Sequence, residues 1–327
     1  MRLLGAILMA VLVAPSPAAS AGLKLIDIPA DGTGPSLTGA IWYPCRTAPA
    51  EIAFDLATVT AAKDCPVSGE DHPLIVISHG LNGDFLGHHD TAAALADAGF
   101  VVAAINHPLD SSQSAIRLSG DLRSMIDRPK DVKRLIDYML GNWADASRID
   151  PDRIGAFGFS RGGYTILTAI GGEPDFELVL SNYPTFPGNR WPEQIRRGAA
   201  RAEAPVHDRR IKAAVIADPA LGSIFTKSGL MGVSVPVMLW AAELGGDGVS
   251  LDDSASVARN LPMAPDYRVV PKARHFAFHA PCNAAFTKVV TDFGEPEICV
   301  DAHGFERVAF HRRLNADIVA FFRDRLR

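Results

Sequence analysis

The sequence predicts an α/β protein with a mostly parallel, doubly wound sheet, and three observations carry this prediction. Short apolar segments of strand length alternate with helix-like segments over most of the chain, which is typical of a parallel sheet covered by helices on both faces. The chain has 327 residues, 48% of them hydrophobic, enough for one large core. No linker, internal repeat or low-complexity segment interrupts it, so residues 22–327 are expected to form a single domain.

The predicted elements follow from local patterns. Short apolar runs rich in Val and Ile indicate buried strands, and longer amphipathic or alanine-rich stretches indicate helices. Gly99 suits the end of the first helix, and Pro129 suits the first turn of the second. We predict strands over 37–43, 73–78, 100–105, 154–159, 211–217, 235–242 and 267–270, and helices over 91–99, 127–140, 163–169, 250–260 and 315–327. Residues 44–71 and a second stretch after 275 are interpreted as excursions closed by disulfides.

Residues 171–210 interrupt the alternation. This insertion is too long for a simple connection, which predicts a cap over a site. The alternative is a surface excursion without a role. The insertion is rich in prolines and aromatic residues: Pro174, Phe176, Tyr183, Pro184, Phe186, Pro187, Trp191, Pro192 and Pro205.

The N-terminus has the pattern of a signal peptide over 1–21. Arg2 precedes an apolar stretch that is too short to span a bilayer, and Ala19-Ser20-Ala21 matches a signal peptidase site. Gly22 is therefore the expected first residue of a mature protein that is periplasmic or extracellular and not stably inserted in a membrane. The alternative is a retained membrane anchor.

The charge and the cysteine content indicate which partners and bonds to expect. The net charge is −5 and no basic run stands out, so nucleic acid is not an expected partner. An even number of cysteines in an exported chain favours disulfides. We predict Cys45–Cys65 and Cys282–Cys299 because each pair is close in sequence and lies in a loop-like stretch. Their spacing does not fit a zinc site, and neither metal nor cofactor is expected.

The most informative motif is Gly158-Phe159-Ser160-Arg161-Gly162. It lies between a predicted strand and a predicted helix, where a sharp turn holds the central serine in strained backbone geometry. The flanking glycines avoid clashes across that turn. Ser160 is therefore the predicted nucleophile rather than part of an ordinary glycine-rich turn.

A serine hydroxyl needs a base to accept its proton, and histidine is the usual one. His275 directly follows the last predicted sheet strand and is the predicted base, with His279 as the fallback. The third member is a carboxylate that orients the imidazole. Asp247 is the first candidate and Asp218 the second, since both follow carboxyl ends of predicted strands; Glu243 is a further alternative.

The segment 78–83, Ser-His-Gly-Leu-Asn-Gly, follows another central strand. Its backbone is suited to aim the Leu81 N–H at a developing oxyanion, together with the N–H of Arg161. His79 is interpreted as a satisfied buried histidine. The run His88-His89-Asp90 is interpreted as a helix start capped by Asp90 rather than as a metal site.

With these residues in hand, the chain resembles the α/β-hydrolase superfamily. More narrowly, it is similar to bacterial proteins grouped as predicted dienelactone hydrolases, which are related to platelet-activating-factor acetylhydrolase. The matching stretches are 78–81, 104–108, 158–163 and 274–278. The resemblance implies the α/β-hydrolase fold, a Ser160 nucleophile, a His275 base and oxyanion donors at Leu81 and Arg161.

The chain departs from these relatives in two ways. Dienelactone hydrolases use a cysteine where this chain has Ser160. The acetylhydrolase relatives place the acid after the strand that ends at Asp218, whereas most of the superfamily uses the next strand, near Asp247.

The expected function is serine-dependent hydrolysis of a small carboxylic ester through an acyl-enzyme. The apolar insertion favours short to medium acyl chains. Acyltransferase, thioesterase or amidase activity with the same residues is the alternative, and a catalytically silent binding protein on this fold is another. Oligomeric state and natural substrate are not predicted.

Overall fold

The computed structural model describes residues 20–183, 189–201 and 203–327. Residues 1–19, which hold nearly all of the predicted signal peptide, lie outside the described part of the chain. Pro184, Phe186 and Pro187 of the predicted cap also lie outside it. Both the cleavage after Ala21 and the cap therefore stay predictions.

The described residues form one ten-stranded sheet in the order β10-β9-β8-β7-β5-β6-β2-β1-β4-β3. Its central part, from β10 to β6, is parallel throughout, whereas β2 pairs antiparallel with both β6 and β1. The strands are β1 (Ser20–Ile28), β2 (Leu37–Cys45), β3 (Ala50–Ala53), β4 (Thr58–Lys63), β5 (His72–Ser78), β6 (Val101–Ile105), β7 (Ile149–Phe159), β8 (Ile211–Ala217), β9 (Val237–Ala242) and β10 (Asp266–Val270).

Helices cover both faces of the sheet. They are α1 (His89–Asp97), α2 (Arg123–Ile126), α3 (Arg128–Gly141), α4 (Arg161–Ala169), α5 (Val179–Asn182), α6 (Trp191–Arg196), α7 (Leu251–Asn260), α8 (Ala284–Asp292) and α9 (Arg307–Arg325). Successive residues of β5 point to opposite faces, as the pleat requires. Leu74 and Val76 join the core under α3, α4 and α7, whereas Ile75 and Ile77 join the core under α1 and α9.

The predicted excursion over 44–71 is wrong in part, because it contains β3 and β4, which extend the edge of the sheet. The strand β1 was not predicted either. The segments of β3 and β4 are short and mix polar with apolar residues, for example Glu51 and Lys63, and several of their residues are exposed. The last helix begins at Arg307, eight residues before the predicted start.

Both predicted disulfides are present. Cys45, the last residue of β2, is bonded to Cys65, and Cys282 is bonded to Cys299 across α8. The first closes the segment that carries β3 and β4, and the second closes the segment between the His275 region and α9. Within the described ranges, no helix is both long and apolar enough to cross a membrane.

The parallel strands place their carboxyl ends at one edge of the sheet. Ser160 follows β7, and Asp218 follows β8. The loop after β9 contains Asp247, the segment after β10 leads to His275, and the one after β5 contains Leu81. The predicted site residues therefore lie at this edge, on loops or, for Arg161, at the start of α4, where sites of open α/β sheets form.

Candidate active site

Ser160 occupies the strained turn that its motif predicts. Ser160 lies between the end of β7 and the start of α4, and its backbone has a φ of 55° and a ψ of −119°. The turn is held by hydrogen bonds, because the Ser160 N–H donates to Ala217 O at 3.0 Å and the Ser160 carbonyl accepts from the N–H of Ala220 at 3.0 Å. A side chain at Gly162 would overlap the carbonyl oxygen of Ser78 on the neighbouring strand. Glycine is therefore required there by close backbone packing.

His275 and Asp218 complete a hydrogen-bonded chain with Ser160. The His275 Nε2 atom lies 2.9 Å from Ser160 Oγ, and its Nδ1 atom lies 2.6 Å from Asp218 Oδ2. Since an ionised carboxylate only accepts hydrogen bonds, Nδ1 carries the ring proton and Nε2 is free to accept the serine proton. All three residues are buried, with at most 3% of their surface exposed. This is the geometry of a nucleophile, a base and an orienting acid.

The local structure fixes each partner of this chain. The His275 N–H donates to Gly245 O at 2.8 Å, and its ring stacks on Phe159 with 4.7 Å between centroids. The other carboxylate oxygen of Asp218, Oδ1, accepts a hydrogen bond from the Ala242 N–H at 2.8 Å. The imidazole and the carboxylate are therefore anchored independently of each other, so their contact does not depend on a flexible side chain.

The first choice for the acid, Asp247, is not the carboxylate that contacts His275. It lies in the glycine-rich loop after β9 with a φ of 50°, its side chain is exposed, and it makes no hydrogen bond to the His275 ring, whose Nδ1 partner is Asp218. Glu243, the other alternative, accepts from the Lys272 N–H at 2.7 Å instead. The loop after β8, which carries Asp218, and the loop after β9, which carries Asp247, begin at the same edge of the sheet. Chain order alone therefore did not separate the two carboxylates.

The two predicted oxyanion donors belong to chain segments next to the serine. Arg161 is the first residue of α4, so its N–H has no acceptor within the helix. Leu81 follows Gly80, whose α-carbon lies close enough to Ser160 that an added Cβ would be 3.3 Å from the serine Cβ. Among the described residues, neither N–H donates to a backbone carbonyl. Their role as oxyanion donors stays a prediction.

His79 and His279 form no hydrogen bond with the Ser160 side chain, whose partner is His275. His79 Nδ1 donates to Gly80 O at 2.7 Å and its Nε2 accepts from the His107 N–H at 3.1 Å, while burial lowers its pKa to about 3. This is the satisfied buried histidine that the sequence predicts. The fallback base His279 packs against Phe159 and His88 instead.

The prediction for Asp90 is wrong. Asp90 is the second residue of α1 and accepts hydrogen bonds from His311 at 2.6 Å and Asn315 at 2.9 Å on α9. It therefore joins two helices rather than capping one. Across ranges 20–183, 189–201 and 203–327, no group of three or more His, Cys, Asp or Glu side chains is arranged to hold a metal ion.

The sequence did not reveal a buried polar cluster beneath the site. Asp110 and Arg128 form an ion pair of 2.8 Å with at most 1% of either side chain exposed. Next to it, the side chains of Ser78, His107 and Asp131 form a second hydrogen-bonded Ser–His–Asp chain. The available signal was the His107-Pro108-Leu109-Asp110 segment after β6, because charged and imidazole groups beside a buried strand need partners.

A cavity of ≈ 310 Å³ has His275 among its lining residues. Its walls come from the loop after β9, including Leu244 and Asp247, and from Phe276 and Glu297. The volume is in the range of small-molecule sites. His275 therefore forms part of the wall of this space, whereas Ser160 is not among its lining residues.

Comparison with known proteins agrees with this architecture. The structure of a ferulic acid esterase from Streptomyces cinnamoneus superposes with a TM-score of 0.62 at 18% identity, over 96% of this chain and 91% of that one. This chain has the α/β-hydrolase fold. At this sequence identity, the structural similarity concerns the fold alone.

Two sequence comparisons cover shorter stretches. The model of the prolyl oligopeptidase family matches residues 88–191, a stretch that includes Ser160 and ends before Asp218 and His275. A protein from Nocardia uniformis subsp. tsuyamanensis, which is named as an esterase, NocK, is 33% identical over 119 residues. That match covers 36% of this chain and 33% of the relative, so the chain spans about a third of that relative's length. Together these matches support a hydrolase of the α/β-hydrolase fold.

Proposed function

We propose that this protein is a serine hydrolase that cleaves small carboxylic esters through an acyl-enzyme. The observation that carries the proposal is the buried chain from Ser160 Oγ through His275 to Asp218, with heavy-atom distances of 2.9 and 2.6 Å. Ser160 attacks the ester carbonyl while His275 accepts its proton, and the Leu81 and Arg161 N–H groups stabilise the oxyanion. His275 then protonates the departing alcohol. Water hydrolyses the acyl-enzyme by the same route.

The cavity beside His275 is the proposed binding place of the alcohol part of the ester. The base must reach the leaving oxygen to protonate it, so the alcohol has to sit on the His275 side of Ser160. The cavity of ≈ 310 Å³ has His275 in its wall, which supports this placement. The acyl group is proposed to lie towards the insertion 171–210, where Trp191 is buried, and short to medium acyl chains are the expected substrates.

The direct test is covalent labelling with a fluorophosphonate, which reacts with activated serines. We expect one adduct, mapped to Ser160 by peptide mass spectrometry, and none in Ser160→Ala. Ser78 is 0% exposed, so the second Ser–His–Asp chain should not react. A folded protein that forms no adduct at Ser160, or that hydrolyses none of a graded series of nitrophenyl esters, would contradict the proposal.

Amide cleavage is the second candidate, because the prolyl oligopeptidase family model matches the stretch around Ser160. An ester and an anilide with the same acyl group, such as a nitrophenyl ester and the corresponding nitroanilide, separate the two activities. We expect kcat/KM for the ester to exceed that for the anilide by more than their difference in intrinsic reactivity. The dienelactone hydrolase and acetylhydrolase resemblance stays a prediction, which lactone and acetyl ester substrates would test.

We propose export to an oxidising compartment. The disulfides Cys45–Cys65 and Cys282–Cys299 support it, since such bonds persist outside the cytosol. Intact mass of the protein recovered from culture medium or periplasm tests the predicted start at Gly22. Recovery of the full-length chain from the cytosol with reduced cysteines would contradict export.

A further inference from the structure

The buried ion pair of Asp110 and Arg128 makes further hydrogen bonds to two chain segments beside Ser160. The Arg128 Nη1 atom lies 2.8 Å from Asp110 Oδ2, and neither side chain is more than 1% exposed. Burying two charges costs free energy, and well-packed apolar residues often stabilise a core equally well. What distinguishes this pair is where its other hydrogen bonds go.

One set of these bonds holds the segment that carries Leu81. Arg128 Nη2 donates to the carbonyl oxygen of His79 and lies 3.3 Å from Ser78 Oγ. Asp110 Oδ1 accepts from the Asn82 N–H at 3.2 Å. The backbone is thus tied on both sides of Leu81, whose own N–H is left free for the substrate.

A second set holds the start of α4, which carries the other proposed donor. Arg161 Nη1 donates to Asp110 Oδ2 at 3.1 Å. Arg128 Nε donates to Thr165 Oγ1 at 2.9 Å, and that hydroxyl donates to the carbonyl of Arg161 at 2.7 Å. The same ion pair therefore binds the first turn of α4 through Arg161 and Thr165, which lie one helical turn apart.

The second Ser–His–Asp chain supports the Leu81 segment from behind. His107 Nε2 lies 2.9 Å from Ser78 Oγ and its Nδ1 lies 3.0 Å from Asp131 Oδ2. The His107 N–H also donates to the ring of His79. These groups are buried, so they hold the backbone at the end of β5 rather than meet a substrate.

From these contacts we infer that Arg128 and Asp110 are positioning residues that set the spacing of the two oxyanion donors, the N–H groups of Leu81 and Arg161. The inference rests on the proposed function. Oxyanion stabilisation requires donors within a few tenths of an ångström of the right place. The two donors sit on separate chain segments, and this pair bridges them through charged hydrogen bonds. The pair itself does not touch the substrate.

The test is Arg128→Lys, which keeps the charge but cannot donate to Asp110, Thr165 and the His79 carbonyl at once. We expect kcat for a nitrophenyl ester to fall by about 10²-fold with KM changed less than about threefold, because misplaced donors lose transition-state rather than ground-state binding. The affinity for phenyl trifluoromethyl ketone, which forms a tetrahedral oxyanion on the serine, should fall in parallel with kcat. Fluorescence and thermal unfolding verify that the variant is folded.

Arg134→Lys is the matched control. Arg134 is also a buried arginine of α3, 6% exposed, but it binds the carbonyls of Pro29 and Pro35 away from the site. We expect its kcat and ketone affinity to stay within about twofold of the wild type. Thr165→Val, which nearly preserves side-chain volume, provides a second variant should Arg128→Lys fail to fold. It should lower kcat and ketone affinity together by about tenfold.

The outcomes separate the two proposals. A wild-type protein that neither hydrolyses esters nor binds the ketone overturns the proposed function, and the inference with it. A wild-type protein that hydrolyses esters, with folded Arg128→Lys or Thr165→Val variants that keep kcat and ketone affinity, overturns the inference alone. Equal losses in Arg128→Lys and Arg134→Lys would also overturn it, since the effect would then belong to α3 in general.

Discussion

Replacing Asp218 with asparagine tests the proposed mechanism at its most specific point. The carboxylate Oδ1 accepts from the Ala242 N–H at 2.8 Å, and Oδ2 accepts from His275 Nδ1 at 2.6 Å. In Asp218→Asn, only the amide oxygen can satisfy the fixed Ala242 N–H. The amide NH₂ group is then forced towards His275 Nδ1, where it donates.

This exchange of donor and acceptor reverses the tautomer of His275. With Nδ1 accepting, the ring proton moves to Nε2, which lies 2.9 Å from Ser160 Oγ and can no longer accept the serine proton. Wrong-tautomer variants of serine triads lose on the order of 10⁴-fold in kcat. That loss corresponds to about 5.4 kcal/mol of transition-state stabilisation. Asparagine has nearly the same size, so we expect thermal unfolding to show a folded protein.

The assay is steady-state hydrolysis of a short-chain nitrophenyl ester, with circular dichroism to check the fold. Asp247→Asn is the comparison for the rejected acid, because Asp247 lines the cavity beside His275 but makes no hydrogen bond to the ring, so an effect on substrate binding should appear in KM. We expect it to retain kcat within about threefold. An Asp218→Asn protein with more than a tenth of wild-type kcat, or an Asp247→Asn protein with an equal loss, would refute this reasoning.

Three further predictions concern stability. Gly162→Ala should prevent recovery of folded protein, because its methyl group would overlap a carbonyl of β5, whereas Gly141→Ala, with no atom within 4 Å of the added carbon, should unfold near the wild-type temperature. Burial lowers the pKa of His88 from 6.5 to about 3, so the unfolded chain binds a proton that the folded chain excludes, and stability should fall as pH drops from about 6.5 towards 3. Urea unfolding at pH 7 and pH 5 should show a smaller decline in His88→Phe, and an unchanged decline would contradict a neutral buried ring. Replacing Cys282 and Cys299 with serine should lower the unfolding free energy by about 3 kcal/mol, measured as a lower thermal midpoint; an unchanged midpoint would speak against a stabilising bond.

The central strands and the turn at Ser160 were predictable because their signals are local. Continuous apolar runs of strand length indicate buried parallel strands, and the structure has β8 at Ile211–Ala217 as predicted. The edge was harder to predict. The segment Thr58–Lys63 mixes polar and small residues without a clear period. It forms β4 by pairing with β1 and β3. That pairing depends on contacts distant in sequence.

The sequence by itself determined the type of fold and two members of the proposed catalytic chain, since a strand–Ser160–helix turn and a histidine after the last strand are readable from local patterns. Only the tertiary structure decided between Asp218 and Asp247. Both follow neighbouring strands, but the His275 ring lies 2.6 Å from Asp218 Oδ2 and makes no hydrogen bond with Asp247. A side chain's direction in space depends on contacts made across the fold, which chain order does not contain. For the same reason, the pairing of Arg128 with Asp110 became visible only once helix and loop were packed together.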